Sequence, residues 1–129
     1  MTYQEDLIAH LASYPLVTDR VGSRIFADLA DGDTPTPYVV YSVISTDGTT
    51  LHDATRNLEF PRIQFSCYAD TKPEAVKTAT AIRRSCEGRT ISGPSDLILV
   101  FDDQSGTREE ATNLFVEQID FLGATNTNN

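Results

Sequence analysis

Between Thr34 and Thr46 the chain reads TPTPYVVYSVIST, two prolines and then an almost unbroken β-branched and aromatic run. Val39, Val40, Tyr41, Val43 and Ile44 have the composition of a strand that is apolar on both faces, and Pro35 and Pro37 can stand only at its first residues or outside it. One face lines a core. The other needs a cover as well, supplied either by the rest of the chain or by a neighbouring subunit. No catalytic side chain lies near the run.

A second strand follows with a different pattern. In EFPRIQFSCYA, residues 59–69, Ile63, Phe65 and Cys67 point one way and Arg62, Gln64 and Ser66 the other, so a single face meets the core. The segment between the two strands, TDGTTLHDATRN at 46–57, is polar and too long for a tight hairpin, which predicts a loop. After the second strand, DTKPEAVKTATAIRRSCEG carries a full set of helix signals. Asp70 and Thr71 offer a cap, Pro73 and Glu74 suit the first turn, Val76, Ala79, Ile82 and Cys86 share a face, and Gly88 is the stop.

An earlier helix is predicted over 4–13, with Leu7, Ile8, Leu11 and Ala12 on one face and Pro15 ending it. Residues 16–37 then need little beyond a turn and a short extended piece. DLILVFD at 96–102 and NLFVEQIDFL at 113–122 read as the third and fourth strands, joined by the turn-rich DQSGTREEAT. The order α-β-β-α-β-β predicts an α+β fold: a four-stranded, mainly antiparallel sheet with two helices on one face. Residues 1–122 make one domain, and the polar tail 123–129 is expected to be disordered.

At 129 residues and 40% hydrophobic content the chain suits a single core, with no room for a separate cofactor-binding domain. Ten basic residues face 19 acidic ones, a net charge of -9, and no Lys/Arg cluster exceeds the pair Arg83-Arg84. That balance argues against sequence-wide attraction to nucleic-acid phosphate. No apolar stretch approaches the length of a spanning helix, and MTYQEDLIAH lacks a signal core, so the expectation is a soluble protein, cytoplasmic where it is made.

The search for chemistry returns negatives. Cys67 and Cys86 are too few for a disulfide framework and too far apart for a CxxC site, which leaves buried free thiols. His10 and His52 have no HxxxH or HExxH spacing, so no metal is expected. GxSxG, GxGxxG and Walker patterns are absent, and SGPSD and QSGT have turn composition alone. Asp102 and Asp103 are neighbours at a strand end, where acidic residues ordinarily solvate a turn. No cofactor is implied.

The residues do resemble a family. LIAHLASYPLVTDRVGSRIFADLADGDTPTPYVVYSVIS, then RIQFSCYADTKPEAVKTATAIRRSCEG, then a near-terminal strand holding the IDF triplet, are similar in order and spacing to the tail completion or tail terminator proteins of long-tailed bacteriophages and prophages. The likeness runs over about residues 7–122. It is carried by Val21, Gly22, Arg24, Ile25 and Phe26 at one turn, Pro37 to Tyr41, the strand Ile63 to Ala69, Glu74 and Ala75 opening the long helix, and Asp120 with Phe121.

This resemblance implies a structural virion protein and no enzyme. Subunits would close into a ring, usually a hexamer, at the head-proximal end of the tail tube, stop its polymerisation and present a surface to the neck. Partners would be further copies of the chain, the tail tube protein and a neck or head-completion protein, assembled in the host cytoplasm. DNA would pass through the ring without sequence-specific binding. The polar segment then becomes the candidate subunit or tube interface, with Asp47, Thr49, Thr50, Leu51, His52 and Arg56. Acidic loop residues, Asp28, Asp31 and Asp33 or Asp102, Asp103, Glu109 and Glu110, become candidates for a channel that repels phosphate, the last four foremost. The competing reading is a small ligand-binding or enzymatic α+β domain without a recognisable motif.

Overall fold

In a computed structural model of the protein, residues 3–30, 32–50, 57–87, 90, 91 and 97–126 are described. The elements run α1 (Tyr3–Ala12), α2 (Pro15–Val21), β1 (Ile25–Ala27), β2 (Tyr38–Thr50), β3 (Asn57–Ala69), α3 (Lys72–Cys86), β4 (Ile98–Glu109) and β5 (Leu114–Asn126). Three helices and a five-stranded sheet of order β1-β2-β3-β5-β4 replace the expected two helices and four strands. The sheet is mixed: β1 runs parallel to β2, and every other pairing is antiparallel.

Both additions come from residues 15–27, where only a turn and a short extended piece were expected. Pro15 does end α1, and it also opens α2, because a proline in the first helical turn sacrifices an N–H that has no intrahelical acceptor. Val17 and Val21, one turn apart, are buried from that short helix. Gly22 stops it at φ 59°, and its N–H donates to the Thr18 carbonyl at 2.9 Å. Arg24 then ties β1 to the start of β2, its Nε donating to the Pro37 carbonyl at 3.0 Å. Three residues of pairing are too short to show as a period in sequence.

The strands also outrun their expected ends. Thr46 to Thr50 pair with Pro61 to Asn57, so the front part of the predicted loop is β2, and its residues 51–56 lie outside the described ones. QSGT belongs to β4, which reaches Glu109 before a tight turn with Asn113 at φ 63°. The Asn113 N–H donates to the Glu109 carbonyl at 2.8 Å, and Asn is among the few residues that take this backbone region cheaply. Polar composition misled in both places for one reason: strand pairing is made by the backbone, so a polar segment can extend a hairpin as well as an apolar one.

The alternation read in β3 holds. Ile63, Phe65 and Cys67 are fully buried under α3, while the residues between them face away. Phe65 and Phe121 meet edge to face at 5.8 Å, and Phe101 adds a second edge contact to Phe121 at 6.3 Å. Above them α3 presents Ala75, Ala79 and Ile82, small enough to bring the helix close to the sheet. Its cap is the expected one, Thr71 Oγ1 accepting from the Glu74 N–H. Gly88, the expected stop, lies outside the described residues. Both cysteines are buried free thiols. Bulges interrupt β2 between Val43 and Ser45 and β4 between Phe101 and Asp103, and both fall on the same transverse row, Val43–Ile63–Phe121–Phe101.

One charge sits within this layer. Glu117 is buried on the helix side of β5, where Lys72 Nζ approaches at 3.7 Å and Gln104 Nε2 donates at 3.0 Å. It fits because Gly106, directly across on β4, has no side chain: a Cβ there would collide with Glu117 Oε2. Gly106→Ala is expected to push the carboxylate off its partners and cost about 1–3 kcal/mol in urea unfolding. Gly32→Ala, with nothing within 4 Å, should stay within about 0.5 kcal/mol of the parent.

Candidate interaction surfaces

All three helices stack on one side of the sheet, so the other side of β2, β3, β5 and β4 is open over most of its area. This is where the doubly apolar strand leads. Val39 and Tyr41 enter the core, while Tyr38 and Val40 look out on the open face and are only half-buried. Three zones follow along that face.

At one end lies an apolar patch. Phe60, Leu122, Val100 and Ile98 occupy adjacent outward positions of β3, β5 and β4, and with the bulge residue Ile44 they are 42 to 58% exposed. They make up five of the seven exposed large hydrophobics among the described residues, a concentration that marks an interaction site. The middle zone is polar. Arg62 reaches Asp102 at 3.1 Å and Asp120 at 3.9 Å, and Gln64 donates to Asp120 at 3.0 Å.

The far end is an aromatic groove of about 210 Å³, walled by Leu29, Ala30, Val40 and the pair Tyr38 and Tyr68. The antiparallel register sets these two tyrosines opposite each other, and their rings stack at 4.8 Å and 13°. Phe26 closes on Tyr38 edge to face at 6.4 Å. Glu109 and Asp28 rim the groove. Burial pushes both hydroxyls above the ordinary tyrosine value, and the Glu109 carboxylate adds to the effect by opposing a second negative charge.

A second groove, about 420 Å³, lies on the helix side between α2 and α3. Leu16 and Ala81 provide its apolar lining, and Arg20, Lys77 and Arg84 with the single acid Asp19 give it a net positive charge. Arg20 pairs with Glu74 at 3.3 Å; Lys77 has no carboxylate within ion-pair distance among the described residues.

The structure separates the residues singled out from sequence. Asp47, Thr49 and Thr50 are strand residues of β2, opposite Phe60, Leu58 and Asn57, and Leu51, His52 and Arg56 lie outside the described residues, as does Asp31. Asp102 and Asp103 sit at the β4 bulge, not in a loop, and Asp102 is paired with Arg62. Glu109 and Glu110 lie seven residues further along the hairpin, so the four acids form two groups, one at the mid-strand bulge and one where β4 ends in the turn. His10 is structural, its Nε2 in a 2.6 Å hydrogen bond with the Ser85 carbonyl. No cluster of three metal-ligating side chains occurs among the described residues. The tyrosine groove escaped sequence reading: Tyr38 in PYVVY and Tyr68 in SCYA stand thirty residues apart, and only the register brings them together.

Residues 5–123 match the family model described as Tail completion protein gp17. This chain belongs to that family. No match to a curated protein is found. A chain in the solved structure "Virion of native gene transfer agent (GTA) particle" has the same fold, with a TM-score of 0.76 and 18% identity over 95% of this chain and 93% of that one. A tail completion protein thus has its helices gathered on one side and a zoned, open sheet face on the other.

The raised tyrosines give a pH prediction. A folded-state value above the unfolded one, near 10, favours the native state fully below pH 10, and that contribution is lost as pH rises through the folded value. Unfolding free energy is expected to start falling near pH 9, where the buried Cys67 thiol resists the ionisation open to it in the unfolded chain, and to fall more steeply above about pH 10 as the tyrosines follow. Glu109→Gln should lower the pH at which phenolate absorbance appears; an unchanged titration would leave burial as the sole cause.

Proposed function

We propose that this chain is a structural tail protein that closes into a ring, a hexamer in the first instance, at the head-proximal end of the tail tube, ends tube polymerisation and offers the neck its joining surface. The observation that carries the reading is the family match over residues 5–123, which spans nearly the whole folded chain. The geometry supports it: a sheet face left open by its own helices, with an apolar patch at one end, is what a subunit made for assembly presents.

The apolar zone around Phe60, Leu122 and Val100 suits the tube or neck protein, and the β2–β3 hairpin with Asp47, Thr49 and Thr50 continues from it. Asp102 has its charge compensated by Arg62, and Glu109 belongs to the tyrosine groove. Asp103 and Glu110, which have no ion-pair partner among the described residues, are therefore the acids proposed to face passing DNA.

Native mass spectrometry over a concentration series is expected to show a closed oligomer, and adding the protein to polymerising tube protein should give tubes of fixed length. A strict monomer that metabolites stabilise thermally would support a small ligand-binding domain instead. Reversing Asp103 and Glu110 together to lysine should slow genome ejection from particles that still assemble, because phosphate would then be held in the channel. Ejection at the parental rate would remove these residues from the channel wall.

A further inference from the structure

We propose that the tyrosine groove is the docking site for a cationic side chain of a second copy of this chain, Lys77 entering it with Arg84 alongside. The proposal rests on the ring reading and names the contact that would join neighbouring subunits.

The groove has the chemistry of an ammonium or guanidinium site. Tyr38 and Tyr68 offer stacked ring faces, Glu109 and Asp28 stand at the rim, and an organic cation is attracted by both. Within the chain neither carboxylate has an ion-pair partner among the described residues; Glu109 only accepts a hydrogen bond from Thr112 at 2.8 Å. The volume, about 210 Å³, suits a single long side chain better than a folded element.

The same chain carries the complement. With 19 acidic residues against 10 basic, cations are scarce; Arg20, Arg62, Lys72 and Arg83 are held in ion pairs, and exposed Lys77 is in none among the described residues. It lines the α2–α3 groove with Arg84 beside it. The two large exposed hydrophobics outside the apolar patch divide between these places: Leu29, 82% exposed, walls the acidic groove, and Leu16, 48% exposed, walls the basic one. Each groove thus has one unburied leucine, and their net charges are opposite: Asp28 and Glu109 in one, and Arg20, Lys77 and Arg84 against the single acid Asp19 in the other.

The two grooves lie on opposite sides of the sheet, so no subunit can join its own pair. Different surfaces meeting between identical chains make a head-to-tail contact, which generates a ring when the rotation closes.

The test is a charge swap in the full-length chain, followed by native mass spectrometry and sedimentation, with circular dichroism to check folding. Lys77→Glu and Glu109→Lys are each expected to weaken association at least about tenfold, and the double variant to restore it. Asp28→Asn combined with Glu109→Gln removes the charge while keeping the hydrogen-bonding shape and a residue that accepts the φ of 65° at position 28; it too should weaken association. Rings that form at parental strength in every single variant would overturn this contact and leave the ring reading standing. Weakened single variants that the double fails to rescue would overturn the pairing of these two grooves. A parent chain that stays monomeric at all concentrations, alone and with tube protein, would overturn the ring reading and this contact with it.

Discussion

The packing of α3 on β3 is the constraint from which the rest of the molecule follows. Ile63, Phe65 and Cys67 have no solvent access, and they point to the same side as the alanine-rich face of the helix. Because successive strand residues alternate, a one-residue slip of β3 would turn Arg62, Gln64 and Ser66 into that core, so the register of the central strand is fixed by hydrophobic cost alone. β2 and β5 inherit their registers from β3, and β4 inherits its own from β5. Every position on the open face, including the stacked tyrosines, is thereby set by a core that lies on the other side.

Much of this was legible in the chain. The period-two pattern of IQFSCYA and the capped, stopped helix after it are strong local signals, and both elements stand within a residue or two of their expected positions. What escaped was of two kinds. Pro15 was read as an ending because proline punctuates helices at either terminus and sequence does not say which; here it serves both. Thr46 to Thr50 and Gln104 to Thr107 were read as loops because they are polar, although strand pairing is a backbone property that polar residues satisfy as well. The candidate surfaces divided the same way. Single acids were visible as residues, but their environments were not: Asp102 is neutralised by Arg62 from a strand forty residues earlier in the chain, and Glu109 meets tyrosines from two other strands.

The distribution of charge and hydrophobicity also bears on how such a chain remains dispersed before assembly. Five exposed large hydrophobics gathered at one end of a sheet would ordinarily promote indiscriminate association. A net charge of -9 on 129 residues opposes it, since like-charged monomers repel at every orientation except those that align opposite local charges. Local basic groups against a uniformly acidic background therefore act as orientation markers, selecting among encounters more than strengthening the final contact.

The two bulges on one transverse row give the sheet a fold line. A bulge bends its strand and adds local twist, and here β2 and β4, on either side of the continuous β3–β5 pair, bend at the same level. On the open face this row separates the apolar patch from the tyrosine groove. Because the two surfaces sit on different stretches of the same strands, two partners can be held at once without competing for one footprint.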